Sequence, residues 1–324
     1  MSQTPPLPEK DLPPGRHRLL KEHLMTEIRY EEQAPVRTPV GKRNPWLRPA
    51  LTAAAVATVA AVTFTLLPSS GDSGSGPRVT TAAAVLEDAA LAAGHATQYD
   101  KIRDDQFTYV ESQVSYTRVK NGKQTVVPPH RRETWLSVDG SRDGLIRDAL
   151  NSRDTRWPGF QEKDHFYDSY PGYNHLKSLP TDPKAMYDWL RKSLPDSFGV
   201  VLAGVNAGLI EQDQGMLFSA GNLMQEGIMP SAQAAALFRA IARIPGVTVV
   251  EDAVDALGRH GVGIAREDAK QPFRMEWIFD RKTHQLLGQR TTLTRDFGGL
   301  KKGTVSTDSA TVRRAVVDKA GQRP

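Results

Sequence analysis

Apolar and polar positions divide this chain into an inner tail, a uniform apolar stretch and a long mixed region. Residues 50–67 read ALTAAAVATVAAVTFTLL, with no charge among them and with Pro49 and Pro68 at the two ends. At about 1.5 Å of rise per residue they span about 27 Å as a helix, close to the hydrocarbon thickness of a bilayer, so the pattern predicts one transmembrane helix. Ahead of it, Leu20, Leu24 and Ile28 recur every four residues, Leu19 and Met25 widen the stripe, and Arg18 and Glu22 lie one turn apart on the polar side. That spacing predicts a short amphipathic helix ending before Pro35. Residues 68–77, PSSGDSGSGP, have the composition of a flexible linker.

Beyond residue 78 the period switches twice. Residues 81–93 put Val85, Leu86, Ala89, Ala90 and Ala93 on one helical face. Residues 106–119 are β-branched and aromatic, Asn121-Gly122 is a two-residue hairpin turn, and 124–127 return. Residues 131–138 alternate as a further strand before Asp139-Gly140 turns again, which makes the first half an antiparallel meander. Trp135 shares a strand face with Glu133 and Ser137, an arrangement that suggests half exposure. Helices are expected from Pro183, with Thr181 or Asp182 as cap and Met186, Trp189, Leu190 and Leu194 as apolar face, then near 214–225, and over 231–243 with Ser231 as cap. Pro245-Gly246 stops the last of these. Strands follow at 247–250 and 261–265, as a hairpin of 273–279 with 285–293, and at 311–317 to close the domain.

Residues 150–180 gather Trp157, Phe160, His165, Phe166, Tyr167, Tyr170 and Tyr173 among Pro, Gly and Asp without a period. Two readings stand: a lid or binding loop, or a large surface loop whose aromatics pin it to the sheet.

Charge changes the picture only where it is local. The 324 residues carry a net charge of +5, and residues 1–48 hold nine of the 42 Lys and Arg against six of the 37 acids, leaving 33 against 31 elsewhere. The region after the apolar stretch is nearly neutral, which argues against nucleic acid as a partner. Arg37, Lys42, Arg43 and Arg48 crowd the amino-terminal flank of that stretch, and Arg78 is the one cation in the thirty residues after it. Retention of cations on the cytoplasmic side predicts an inner amino terminus and an outer carboxy-terminal domain. A cleaved signal peptide is disfavoured because nearly fifty residues precede the apolar run.

Candidate chemistry is sparse. The chain has no cysteine, so disulfides, thiolate zinc sites and a cysteine nucleophile are excluded. Gly71-Asp72-Ser73-Gly74 copies the surroundings of a serine-protease nucleophile, but everything ahead of it is tail or span, so Ser73 is linker. No Walker loop, G-x-S-x-G or H-E-x-x-H occurs, and the glycines from Gly258 to Gly263 lack dinucleotide spacing. Asp164 and His165, adjacent in sequence, point apart on most backbones. The expectation is a protein that is not an enzyme, with no catalytic, cofactor or metal residues.

The stretches PPGRHRLLKEHL (13–24), LPTDP (179–183), IPGV (244–247) and WIFDRKTHQLLG (277–288) resemble a family of uncharacterised actinobacterial single-pass membrane proteins often encoded beside sigma factors. These motifs are structural: a helix start, a helix stop and a hairpin. The order strands, helices, strands also resembles the lipoprotein-carrier and lipoprotein-sensor half-barrel superfamily. The resemblance implies an α+β fold, a curved antiparallel sheet with helices inserted midway, behind a single amino-terminal transmembrane helix. A helix below a single span is similar to the inner part of anti-sigma factors, although His17 and His23 have no cysteines with which to form the zinc version.

The expected organisation is a cytoplasmic tail (1–48), a span (49–68), a linker (69–77) and an extracytoplasmic domain (78–324). The leading functional reading is a membrane-anchored sensor or regulator, possible sigma-factor signalling included. Leu20, Leu24 and Ile28 would dock a cytoplasmic regulatory protein and the outer domain would bind an apolar envelope component. A helix lying on the membrane surface competes for the same stripe, and a tethered lipid- or lipoprotein-binding protein without signalling is the alternative function.

Overall fold

In a computed structural model the described residues are 80–95, 99, 101–120, 123–151, 153–159, 170–192 and 210–324. The predicted inner helix, the transmembrane stretch 50–67, the linker and His165 with its neighbours lie outside them. Among the described residues no helix is long and apolar enough to cross a membrane.

The expected order of elements is present. Helix α1 (Ala82–Gly94) leads into strands β1 (Phe107–Lys120), β2 (Lys123–Ser137), β3 (Gly144–Asp148) and β4 (Thr155–Trp157). Helices α2 (Tyr173–Ser178), α3 (Pro183–Lys192), α4 (Gln212–Glu226) and α5 (Ser231–Ile241) follow. Then come β5 (Thr248–Val254), β6 (His260–Glu267), β7 (Phe273–Phe279), β8 (Leu286–Leu293) and β9 (Val305–Val317). Among the described residues the nine strands form one open sheet in the order β4-β3-β2-β1-β9-β8-β7-β6-β5, and every pairing is antiparallel. The fold is α+β.

Local chemistry accounts for the boundaries. Thr81 caps α1 by accepting from the Ala84 amide at 3.2 Å, and Asp182 caps α3 through the Ala185 amide at 2.8 Å. Ser231 is not a cap: it is the first residue of α5, and Pro230 in extended conformation occupies the cap position. The irregular stretch after residue 150 contains the short strand β4 and helix α2, neither of which has enough residues to show a period.

The strands expected at 124–127 and 131–138 are one strand, β2. Pro128 and Pro129 interrupt the pattern but not the strand. The register against β1 jumps from Val114↔His130 to Tyr116↔Val127, so the two prolines sit at a bulge. On its other side β2 pairs with β3 only over residues 132–135, and no ladder there demands a proline N–H.

Helix α4 organises the helical layer. Gln214 meets Arg266 of β6 (3.1 Å), Gln289 of β8 donates to the Gly221 carbonyl (2.7 Å), and Gln225 accepts from Ser309 of β9 (3.1 Å). At the far end Glu226 takes Arg132 (2.6 Å) and Thr134 (3.2 Å) of β2. Fifteen residues rise about 22 Å, and the five spacings from β6 to β2 amount to about 24 Å. The helix therefore crosses the strands. The apolar core lies at its amino-terminal half, where α1, α3, α4 and α5 cover β6 and β7 through Leu86, Met186, Leu217, Leu237, Ile264 and Trp277. Phe238 stands edge-on to both Trp277 and Phe279.

Trp189 is only partly buried, whereas Met186 and Leu190 carry the α3 face. Trp135, in contrast, is fully buried. It sits on the sheet face away from α4 in a second, small core with Phe107, Tyr109 and Val317. Residues after β9 cover it: the Gln322 carbonyl accepts from the Trp135 indole at 2.5 Å.

Gly288, which ends the WIFDRKTHQLLG stretch, shows why that hairpin tolerates no side chain there. A Cβ at this position would lie 1.9 Å from the Ser309 carbonyl oxygen on β9. Gly288→Ala should cost about 1–3 kcal/mol through separation of β8 from β9, read as a lowered urea midpoint; an unchanged midpoint would contradict this packing.

Candidate functional site

The groove of interest arises from a mismatch in strand length. β8 has eight residues and β9 thirteen, and their pairing ends at Gly288↔Ala310. From residue 311 to 317 β9 is laddered to β1 alone. An edge thus lies inside a nine-stranded sheet, and a cavity of about 510 Å³ opens along it between β9 and the segment that follows α1.

Tyr99 and Ile102 form the apolar wall of this groove, packed with Val138, Tyr173, Ile228 and Val316. The Tyr99 hydroxyl donates to the Arg314 carbonyl at 3.1 Å. Burial pushes the Tyr99 phenol up despite the nearby Arg314 charge, so it remains a neutral donor. Arg314 runs beneath the groove and donates to the Met224 carbonyl at 2.7 Å, at the carboxy-terminal end of α4, where a cation is favoured. Burial pulls its pKa down, opposed by Tyr99 and Glu226, and a guanidinium keeps its proton even so. Lys101 and Arg313 add two cations to the lining. The nearby Asp318 is engaged by Gln106 and Arg103, both at 3.0 Å, which hold its carboxyl below the usual range. The groove is amphipathic with a cationic rim.

Two other polar clusters lie away from the groove. Glu133 is buried on the opposite sheet face, where Arg323 grips it with two bonds of 2.7 Å, Tyr109 donates at 2.8 Å and Arg131 at 3.1 Å. His130 and Asp148 form a buried pair at 3.1 Å. The other ring nitrogen of His130 lies 2.9 Å from the Pro128 carbonyl, and the second Asp148 oxygen accepts from the Leu150 amide. With both nitrogens engaged, His130 offers no free base, and its evident role is to tie β2 to the end of β3. Among the described residues no group of three His, Asp or Glu is placed to hold a metal ion.

Of the residues singled out from sequence, Leu20, Leu24 and Ile28 lie outside the described residues, as do Ser73, Asp164 and His165. Tyr170 and Tyr173 do pin their segment to the fold. Both are buried, and their hydroxyls approach the Ser137 and Tyr99 carbonyls at 3.4 Å. Sequence reasoning missed Tyr99, Lys101 and Arg314. The available signal was that the polar and β-branched run before residue 318 is longer than the strand it follows.

No protein-family model and no curated protein matches this chain. Among solved structures it is similar to the complex of Pseudomonas aeruginosa MucA/MucB, at 14% identity and a TM-score of 0.25. The match covers 75% of this chain and 58% of that one.

Proposed function

We propose that this chain is a membrane-anchored regulator whose outer α+β domain binds an envelope component and whose inner helix engages a cytoplasmic protein. The observation that carries this reading is the uncharged run 50–67 behind Arg37, Lys42, Arg43 and Arg48, because cations flanking a span favour a cytoplasmic amino terminus and an outer carboxy-terminal part. The amphipathic stripe of Leu20, Leu24 and Ile28 supports the inner role, since a simple tether needs no such face. A sheet that curves into a half-barrel about α4 would give the outer domain a sheltered surface.

Topology is tested by fusing a reporter active only outside the cytoplasm. Fused after Pro324 it should be active and fused after Arg37 inactive; the reverse pattern would overturn the orientation. The inner role is tested with a peptide of residues 10–35 offered to vesicles and to lysate. Leu24→Asp should abolish capture of a cytoplasmic protein. Vesicle binding with no captured protein would leave a tether and remove the regulator.

A further inference from the structure

We propose that the free edge of β9 is a strand-addition site for an extended, acidic segment of a partner protein. This stands on the groove alone and does not depend on the membrane topology. In an antiparallel ladder alternate residues direct both backbone groups to the same side. The Arg314 carbonyl faces the groove, since Tyr99 donates to it there, so the N–H and carbonyl of Val316 face it as well. Among the described residues neither group of Val316 has a hydrogen-bond partner on that side. The Arg314 carbonyl keeps a second lone pair beside the Tyr99 bond.

Arg259 donates to the Thr311 carbonyl at 3.0 Å and closes that end; the open stretch of six residues beyond it, 312–317, extends over about 20 Å, room for a short strand continuing the line of β8. Two features specify that strand's chemistry. Its side chains would alternate between the wall of Tyr99 and Ile102 and the opposite face of the sheet, so apolar residues are wanted at every second position. Lys101, Arg313 and Arg314 line the groove and, among the described residues, no acid lines it; nearby, Asp318 is already paired with Arg103 and the charge of Glu226 already acts on Arg314, so the intervening positions favour Glu or Asp. Half-exposed Val312, at the bulge where the ladder with β1 shifts, would receive the end of the added strand. Edge cations also discourage pairing between copies of one protein. A Tyr-lined cavity beside the edge goes beyond that role, because it holds space for side chains of an incoming strand.

The test uses the full-length protein and a labelled heptapeptide in which valine alternates with glutamate, with a lysine counterpart and an N-methylated version that cannot donate along the strand. The acidic peptide should bind, protect the amides of Arg314 and Val316 from hydrogen exchange, and bind about tenfold or more tightly than the lysine peptide, the scale of one charge-assisted hydrogen bond. Lys101→Glu should erase that preference. N-methylation should abolish binding without any change to the protein, so failure of a variant to fold leaves the test intact. No added protection at Arg314 and Val316, equal binding of the two charge types, or undiminished binding of the N-methylated peptide would each overturn the proposal.

Discussion

Trp135→Ala should lower the free energy of unfolding by about 3–5 kcal/mol, the usual cost of emptying a fully buried indole site. The side chain has no exposed surface. Its ring lies 5.2 Å from that of Tyr109, the Arg147 guanidinium stands 5.1 Å over it, and its N–H is satisfied by Gln322. Alanine removes all of these and leaves a void walled by a rigid sheet, which collapses poorly. Trp189→Ala is the control. That ring is partly buried at the rim of the main core, near His175, and its loss should cost clearly less. Urea unfolding of the two variants in parallel decides the point: equal midpoints would mean that the small core beneath the carboxy-terminal segment contributes nothing of its own.

The ordering of these two tryptophans is where sequence and structure part. On α3 a periodic face was legible, but a helical stripe does not say which of its members reaches the centre, and the Met186 and Leu190 positions do. On β2 the alternation correctly put Trp135 with Glu133 and Ser137. Such a face reads as solvent because one carboxylate and one hydroxyl flank the ring. What buries it is a segment almost two hundred residues later, and period-two patterning carries no information about so remote a cover. The same holds for β2 itself, where two prolines read as a break although the long-range register turns them into a bulge.

Elements with local causes were legible: α1 from its apolar helical face, α3 from the cap at Thr181 or Asp182, the β7–β8 hairpin from the turn that begins at Asp280. There the Asp280 carboxylate accepts from the Lys282 and Thr283 amides at 2.8 and 2.7 Å. The candidate groove had no local cause. It exists because β8 stops while β9 continues, and because the Tyr99 segment happens to lie against the unpaired half. Its residues come from a loop and from a strand whose start at Val305 lies six residues ahead of where the pattern begins to alternate.

Deleting residues 321–324 should expose Trp135 and make the loss of stability depend on pH. Gly321, at a φ of 84° that other residues seldom adopt, turns the chain so that Gln322 and Arg323 return across the sheet. Burial pushes the Glu133 carboxyl up, but the hydrogen bonds from Arg323 and Tyr109 and the charges of Arg131 and Arg323 outweigh it, so the group is held below its ordinary value. A carboxyl depressed in the folded state contributes stability that is present above its unfolded pKa and fades as pH falls through the folded one. Without Arg323 the burial is less opposed and that contribution shrinks or reverses. The intact chain should therefore exceed the truncated one most at about pH 7, and the gap should narrow below about pH 4, where an ordinary glutamate takes up its proton. Part of the gap should persist in acid, because cover over Trp135 does not titrate. Thermal melts of both chains across this range, with tryptophan emission shifted to the red in the truncated one, measure both components. A gap of constant size at every pH would show that the Arg323–Glu133 contact adds no net stability, and unshifted emission would show that the segment does not shield the indole.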